Sequence, residues 1–329
     1  MSHARPGIGT QAMQDEQMAV RVAWLYFIEG WTQGEIAGAL STNRLRVNRM
    51  LNEARRSGLV TFTLNSRLTS CIELERALVA EFGLKHAIIL PSPRDPGLVR
   101  PLIGQAAADY IAQLLASTSI REIATSWGST IREVVRHLPP MQRPDVFVSS
   151  ALGGLTRGLE MNTFDIAAAF GRQLGAECGY LAAPVYAGSP EAHDAILSQE
   201  PFRAAFERVA ACDLILLSVG DMTDSLLVRY GLPAGVTVEE LTAAGACGDL
   251  MGHLIDRDGR PIDHPLNRRC ITLPLEKLKD IPYVLVASGG LYKAEVMAAV
   301  LGGGWGNVLV TDEDTARAAM ALVRGRHTA

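Results

Sequence analysis

Apolar residues recur at helical spacing over residues 16–28. The repeating positions are Val20, Ala23, Trp24 and Phe27. Gly30 follows and is typical of the end of a helix. Residues 1–15 are rich in Gly, Gln and Ala and show no apolar period, so we expect them to form a disordered tail.

A second, shorter helix is predicted directly after this one. Thr32 is a suitable N-cap, and Glu35 stands three residues later, as in a capping box. Ile36, Ala37 and Leu40 then supply one apolar face. The segment therefore predicts a short amphipathic helix.

The turn-prone residues 41–43 interrupt the periodicity, and Asn43 can cap a third helix over residues 44–56. Its inward positions are Val47, Met50 and Leu51. Its outward positions are Arg44, Leu45, Asn48, Arg49 and Asn52. Two helices joined by a tight turn, the second basic and rich in amides, are typical of a helix-turn-helix. Residues 58–64 alternate apolar and polar side chains and predict a short strand, as in winged variants.

Charge is distributed unevenly along the 329 residues, whose net charge is −4. Up to Arg67 there are eight Lys and Arg against five Asp and Glu, a net charge of +3, so the rest of the chain carries −7. A basic element joined to an acidic body indicates that one small part contacts a polyanion.

The third helix has the side chains that read DNA. Arginine can donate two hydrogen bonds to guanine, and asparagine can pair in the same way with adenine. We expect Arg44, Asn48 and Arg49 to read bases. We expect Arg46, Arg55 and Arg56 either to contact backbone phosphates or to be solvated charges. The predicted DNA-binding set is Asn43, Arg44, Arg46, Asn48, Arg49 and Asn52. An ordinary solvated helix face is the alternative, and the agreement of caps, turn and inward positions favours DNA binding.

The pattern changes in the larger part, residues 67–329, which opens with a helical segment over residues 71–82. Short apolar runs then alternate with helical patterns. The candidate strands are HAIIL, REIATSW, DVFVSS, GYLAAPV, DLILLSVG, PYVLVAS and NVLVT. The candidate helices span 100–117, 130–138, 163–174, 203–210, 236–244, 291–301 and 313–323. This alternation predicts a Rossmann-like α/β domain with a parallel sheet covered on both faces.

Ligands bind such sheets beyond the carboxyl ends of the strands. WGST follows a strand and opens a helix, which favours an anion cradle. Lys293 stands in the first turn of a helix after two glycines, where a cation opposes the helix dipole unless an anion lies between them. The predicted ligand-binding set is Gly128, Ser129, Thr130, Gly153, Gly154, Gly220, Asp221, Asp249, Gly289, Gly290 and Lys293. Each of these glycines could merely turn the chain, and each aspartate could merely form a turn. Their convergence at one sheet edge favours a polar-ligand site.

Catalysis finds little support. The seven histidines lack metal-ligand spacing, and neither G-x-S-x-G nor a Walker sequence occurs. We therefore expect no catalytic residue, no metal and no cofactor. Five scattered cysteines fit reduced thiols, and no apolar run is long enough for a signal peptide or a membrane span. A cytoplasmic protein is expected.

The ordered motifs resemble the SorC family of sugar-binding transcriptional regulators, of SorC/DeoR type. They are YFIEGWTQGEIAGAL, RVNRMLNEARRSGLV, ATSWGSTI, LAAPVYAGSPEAHDAIL, GACGDLMGHLIDRDGR and SGGLYKAEVMAAVLGGGWGNVLVTDEDTA. The resemblance implies a regulator of carbohydrate or polyol catabolism, with an effector and oligomerisation domain folded like sugar-phosphate isomerases. It implies a homo-oligomer, a tetramer or a dimer, that binds palindromic operators in double-stranded DNA.

The resemblance also implies an effector that is a sugar, a polyol or, preferably, a sugar phosphate. It places contacts at Gly128, Ser129, Thr130, Gly153, Gly154, Asp249, Gly289, Gly290 and Lys293. Residues 41–43 depart from the usual start of the family's recognition helix, which concerns the operator sequence more than DNA binding. Two alternatives stay open: a sugar-phosphate isomerase or hydrolase with a fused DNA-binding head, and a structural DNA-binding protein with a vestigial sensor.

Overall fold

The computed structural model describes residues 8–60, 67–156 and 160–327. The chain divides into two compact units, Met1–Asn65 and Ser66–Ala329. Within the described residues, the smaller unit is helical and every strand belongs to the larger one.

The smaller unit contains α1 Ile8–Phe27, α2 Gln33–Ala39 and α3 Arg44–Arg56. Its buried core is formed by Val22, Ile36, Ala37, Val47, Met50 and Leu51. The predicted inward face of α3 is thereby confirmed. On α1 the core residues are Val22 and Ala23, whereas Val20 and Trp24 are exposed. Periodicity located that helix but not all of its buried positions.

The ends of this unit differ from two of the predictions or lie outside the described residues. Helix α1 begins at Ile8, so the expected disordered tail over residues 1–15 is wrong for residues 8–15. These residues include Ala, Met and Gln, which favour a helix without any apolar period. The strand predicted over residues 58–64 lies mostly in residues 61–66, outside the described residues, and residues 58–60 form a turn and a bend.

The strands of the larger unit are β1 His86–Leu90, β2 Glu122–Thr125, β3 Phe147–Ser150, β4 Glu177–Gly179, β5 Leu214–Leu217, β6 Val219–Asp221, β7 Gly248–Leu250, β8 His253–Ile255, β9 Tyr283–Ala287 and β10 Val308–Asp312. Seven of them form a sheet in the order β1-β10-β9-β5-β2-β3-β4. All of its pairings are parallel. The predicted α/β class with a parallel sheet is confirmed.

The described residues of the larger unit also form α-helices. They are α4 Arg67–Phe82, α5 Val99–Ser117, α6 Ser129–His137, α7 Thr163–Leu174, α8 Pro190–Leu197, α9 Glu200–Ala210, α10 Val238–Ala243, α11 Ala294–Gly302 and α12 Glu313–His327. Helix α8 was not predicted, although Ser189 caps it by accepting from the N–H of Ala192 at 3.2 Å. Along β5, Leu214 and Leu216 enter one apolar cluster while Ile215 and Leu217 enter another. Both faces of the sheet are therefore buried.

One predicted strand of the larger unit is wrong, and one small sheet was not predicted. The segment GYLAAPV is not a strand, because β4 ends at Gly179 and the chain continues irregularly, with only an isolated bridge between Gly154 and Pro184. The small antiparallel sheet β6-β7-β8 was not foreseen. Its strands have three residues each, too short for an alternating pattern to be recognised.

Candidate functional site

A cavity of about 230 Å³ lies where the strand order of the parallel sheet reverses. The chain proceeds from β2 to β3 on one side of the sheet and from β5 towards β9 on the other, so the loops after β2 and β5 diverge. Ligands bind α/β sheets at such switch points. Among the residues predicted from the sequence, the cavity is lined by Gly128, Ser129, Gly220, Asp221, Asp249 and Lys293.

One wall is the start of α6. Gly128 occupies the N-cap position with φ of 120°, so no side chain caps the first turn. Ser129 follows and also lines the cavity. The uncapped N–H groups and the positive end of the helix dipole face this region, an arrangement that suits an anion.

Lys293 is buried at the end of a 3-10 turn that leads into α11. Its Nζ donates to the carbonyl oxygen of Val219 at 2.9 Å and to Oγ of Ser288 at 3.2 Å. Burial lowers the pKa of Lys293 to about 8, and the carboxylate of Asp221 opposes this shift. The ammonium is thus fixed by two bonds, and it retains one N–H for a ligand.

Asp221 ends β6 and is 5% exposed. Its Oδ1 accepts from the backbone N–H of Thr223 at 2.8 Å and of Asp224 at 2.9 Å, and the hydroxyl of Thr223 also donates to it. Burial raises the pKa of Asp221, but these hydrogen bonds and Lys293 outweigh burial, and the pKa lies below its ordinary value. Within the described residues, Oδ2 is buried and accepts no hydrogen bond. A ligand hydroxyl could supply that missing donor.

Asp249 lies on β7, paired with Gly220 of β6. A Cβ at position 220 would overlap the carboxylate of Asp249, so glycine is needed there for the two strands and this side chain to coexist. Burial raises the pKa of Asp249 to about 6, although the N–H of Gly252 and the charge of Lys293 act in the opposite direction. The site therefore holds a second buried carboxylate whose charge is poorly compensated.

The remaining predicted ligand residues do not line the cavity. Thr130 is buried. A side chain at Gly153 would overlap the backbone of Pro184, and one at Gly154 would overlap the ring of Phe164. These two glycines permit close packing of the chain.

Gly289 and Gly290 shape the loop that carries Lys293. A Cβ at Gly289 would overlap the carboxylate of Asp312, and Gly290 has φ of 98°. The N–H of Gly290 donates to Oδ1 of Asp312 at 2.7 Å. Their contribution to the site is to hold this loop in position.

Sequence reasoning missed several polar residues that line the cavity, including Arg100 and Tyr292. Arg100 lines the cavity from the first turn of α5, and Tyr292 lines it beside Lys293. A cation in the first turn of a helix was the signal used for Lys293, and it could also have identified Arg100.

The second candidate site is the exposed face of α3. The hydroxyl oxygen of Thr32 accepts from the N–H of Glu35 at 3.3 Å while the N–H of Thr32 donates to Oε2 of Glu35 at 2.7 Å, which completes the capping box of α2. Asn43 caps α3 by accepting from the N–H of Arg46 at 2.8 Å. Both predicted caps are confirmed.

The predicted DNA-binding residues Asn43, Arg44, Arg46, Asn48, Arg49 and Asn52 are all exposed. Nδ2 of Asn52 lies 3.5 Å from Oδ1 of Asn48, so these two amides are side by side. Opposite its buried face, the helix presents a polar and basic surface that includes one exposed leucine, Leu45.

The described residues contain neither a membrane-spanning helix nor a metal-binding cluster. In the part of the chain that the structure describes, no helix is long and apolar enough to cross a membrane. The same residues contain no cluster of His, Cys, Asp and Glu suited to a metal ion.

Comparison with known proteins places the chain in a family. A model of the family described as "Putative sugar-binding domain" matches residues 66–321. The erythritol catabolism regulatory protein EryD of Brucella abortus is 28% identical over 313 residues, 95% of this chain and 99% of that protein. The transcriptional regulator LsrR of Klebsiella pneumoniae is 29% identical over 321 residues, 94% of this chain and 95% of that protein.

A solved structure has the same fold over both units. The full-length sorbitol operon regulator SorC from Klebsiella pneumoniae superposes with a TM-score of 0.68 at 24% identity, covering 94% of this chain and 99% of that one. The resemblance seen in the sequence is confirmed. The chain belongs to the family described as a sugar-binding domain, and over nearly all of its length it is similar to the transcriptional regulators EryD and LsrR.

Proposed function

We propose that this protein is a transcriptional regulator of carbohydrate or polyol catabolism whose DNA binding responds to a ligand in the switch-point cavity. The observation that carries the proposal is the buried cluster of Asp221, Asp249 and Lys293 in a chain that also has an exposed basic recognition helix. The name of EryD, an erythritol catabolism regulator, supports a sugar or polyol as the ligand.

The cavity favours a ligand that carries hydroxyl groups and an anionic group. The unpartnered Oδ2 of Asp221 and the buried carboxylate of Asp249 can each accept hydrogen bonds from hydroxyls. Arg100 and the uncapped start of α6, which line the same cavity, can hold an anion. A sugar phosphate offers both groups, and it is the ligand class that we favour over a free polyol.

The smaller unit would bind double-stranded DNA with α3 in the major groove. Proteins of this type read two half-sites related by symmetry, so the proposal includes a homo-oligomer and a palindromic operator. The arginines of α3 would bind phosphates as well as bases, which makes the affinity dependent on salt.

Thermal melting of the full chain with a panel of sugars and polyols, each free and phosphorylated, tests the ligand. A compound at 100 times its dissociation constant should stabilise the fold by about 2.7 kcal/mol. Shifts restricted to phosphorylated compounds support the sugar-phosphate assignment, and shifts restricted to free polyols replace it with a polyol. If no member of a broad panel shifts the melt, the sensor part of the proposal fails.

The DNA-binding part is tested by substitutions on α3. Arg44→Ala or Arg49→Ala should weaken operator binding by about 1 to 3 kcal/mol and relax base choice at one position. Arg56→Ala should weaken binding equally for all sequences and lower the salt dependence by about one unit. Operator affinity measured across salt concentrations separates the two kinds of contact. Parental affinity in both of the first variants would contradict the proposed reading face.

One observation favours a second candidate, a sugar-phosphate isomerase or hydrolase. The pKa values of Asp249 and Lys293 are shifted to about 6 and about 8 in a cavity, and such pairs often serve as acid and base. The assay is turnover of the compounds that shift the melt. Chemical conversion that is lost in Asp249→Asn would support the enzyme.

A further inference from the structure

Leu45 is the most exposed of the large apolar side chains in the described residues, at 81%. It is the second residue of α3. The side chain of Leu45 does not belong to the hydrophobic core of this unit, because the core residues of α3 lie on the opposite side of the helix. A side chain of this size in water gains no burial energy in the free protein.

Leu45 lies in the middle of the polar face. Helical spacing puts it in line with Asn48, Arg49 and Asn52, which are three, four and seven residues further along. Arg44 and Arg46 flank it in the sequence, and every one of these neighbours is exposed. A single apolar group is therefore surrounded by groups that bind DNA well.

One chemical group in the major groove matches such a side chain. Each base pair presents hydrogen-bond donors and acceptors there, and thymine adds the apolar C5-methyl group. Residues at the start of a recognition helix are those that contact base edges. The positive charge around Leu45 would hold the helix against the phosphates while leucine meets the methyl group.

We propose that Leu45 contacts the C5-methyl group of a thymine and thereby determines base choice at one position in each operator half-site. This inference rests on the proposed function, in which α3 reads duplex DNA. It adds a residue that recognises its base by apolar contact, whereas the other predicted readers act by hydrogen bonding.

The experiment starts with the full chain and selection of binding sequences from a random duplex pool. In the selected operator, each thymine is then replaced in turn by deoxyuridine, which pairs identically but lacks the methyl group. At one thymine per half-site, affinity should fall about fourfold, the effect of losing one buried methyl-sized group. In Leu45→Ala, the same replacement should change the affinity by less than about 1.5-fold, since the contact is already absent.

Ile28→Ala is the matched control, because Ile28 is also an exposed aliphatic residue of the same unit, at 65%. It should retain the full response to deoxyuridine. Leu45→Ala should fold normally, as judged by circular dichroism, since the side chain is not packed.

The possible failures are distinguishable. If no sequence is enriched by the selection, specific DNA binding itself fails, and the proposed function fails with it. If a sequence is enriched but no deoxyuridine replacement distinguishes the parent from Leu45→Ala, the role of Leu45 alone is overturned. It is likewise overturned if Leu45→Ala changes the oligomeric state in sedimentation while its response to deoxyuridine is parental, because Leu45 would then contact another protein chain.

Discussion

The two candidate sites carry charge in opposite environments. On α3, Arg44, Arg46 and Arg49 are exposed to water. In the cavity, Asp249 is 3% exposed and Lys293 is 9% exposed. Water stabilises the first group, so these charges cost little in the free protein. Burial disfavours the charged form of the second group, which is why the pKa of Asp249 rises to about 6 and that of Lys293 falls to about 8.

This difference suits the two proposed roles. A DNA-binding face has to be solvated before it meets a polyanion, and its charge then acts over a distance. A ligand site can keep charges that are under-compensated, because a ligand that supplies hydrogen bonds and countercharge stabilises the fold. Stability should therefore depend on the charges of the cavity and hardly at all on those of α3.

Lys293→Met should give the largest effect. It leaves two buried carboxylates without their cation, and the loss of unfolding free energy should be about 3 to 5 kcal/mol in urea titrations at pH 7. Arg49→Met is the matched control on the exposed face and should stay within about 0.5 kcal/mol of the parent. Equal losses in the two variants would remove the contrast between the sites.

Asp249→Asn should change how stability depends on pH. The folded-state pKa of this carboxyl is raised from 3.8 to about 6, so its contribution to stability is fully present below pH 3.8 and is lost as the pH rises through 6. The variant should therefore exceed the parent by about 2 to 3 kcal/mol at pH 7, and the gain should shrink towards pH 4. The measurement is unfolding across that pH range without ligand. A gain that is independent of pH would contradict a charged Asp249 as its source.

Two glycine substitutions should act with opposite signs. Gly220→Ala forces a Cβ into the carboxylate of Asp249 and should cost about 2 kcal/mol. Gly38→Ala, in α2, meets nothing within 4 Å and should stabilise the smaller unit by about 1 kcal/mol. Calorimetry of both variants tests whether the packing around the cavity is as tight as we describe. A neutral Gly220→Ala would show that Asp249 can move freely.

Thr32→Ala should give an effect as small as that of Gly38→Ala. Removing the hydroxyl of the capping box should lower the stability of the smaller unit by about 1 kcal/mol. Thr32→Ser keeps the hydroxyl and should recover most of the loss. If serine restored nothing, the methyl group of threonine would matter more than the cap.

Local patterns made the smaller unit predictable. The caps at Thr32 and Asn43 connect residues only three apart, so the sequence alone contains both partners. The inward residues of α3 followed from helical spacing. The early start of α1 was not predicted, because the first residues of this helix have helix propensity but no apolar periodicity, and the prediction relied on periodicity.

Local sequence patterns predicted only some of the residues that line the cavity. The turn-forming residue types correctly predicted that Gly220, Asp221 and Asp249 line the cavity. The same residue types also predicted ligand contacts for Gly153 and Gly154, which instead pack against other segments of the chain. Glycine permits close approach of any neighbour, so the residue type does not say whether that neighbour is a ligand or the chain itself.

The sequence by itself determined the helix-turn-helix, the alternation of strands and helices and the chemical types at the strand ends. These depend on periodicity and on contacts between near neighbours in the chain. Only the tertiary structure decided which strand ends meet, since the order of the parallel sheet brings β2 and β5 together and residues of β6 and β7 line the same cavity. The burial of Asp249 and Lys293, and with it their altered pKa values, arises from that arrangement, because burial is set by every segment packed around a group.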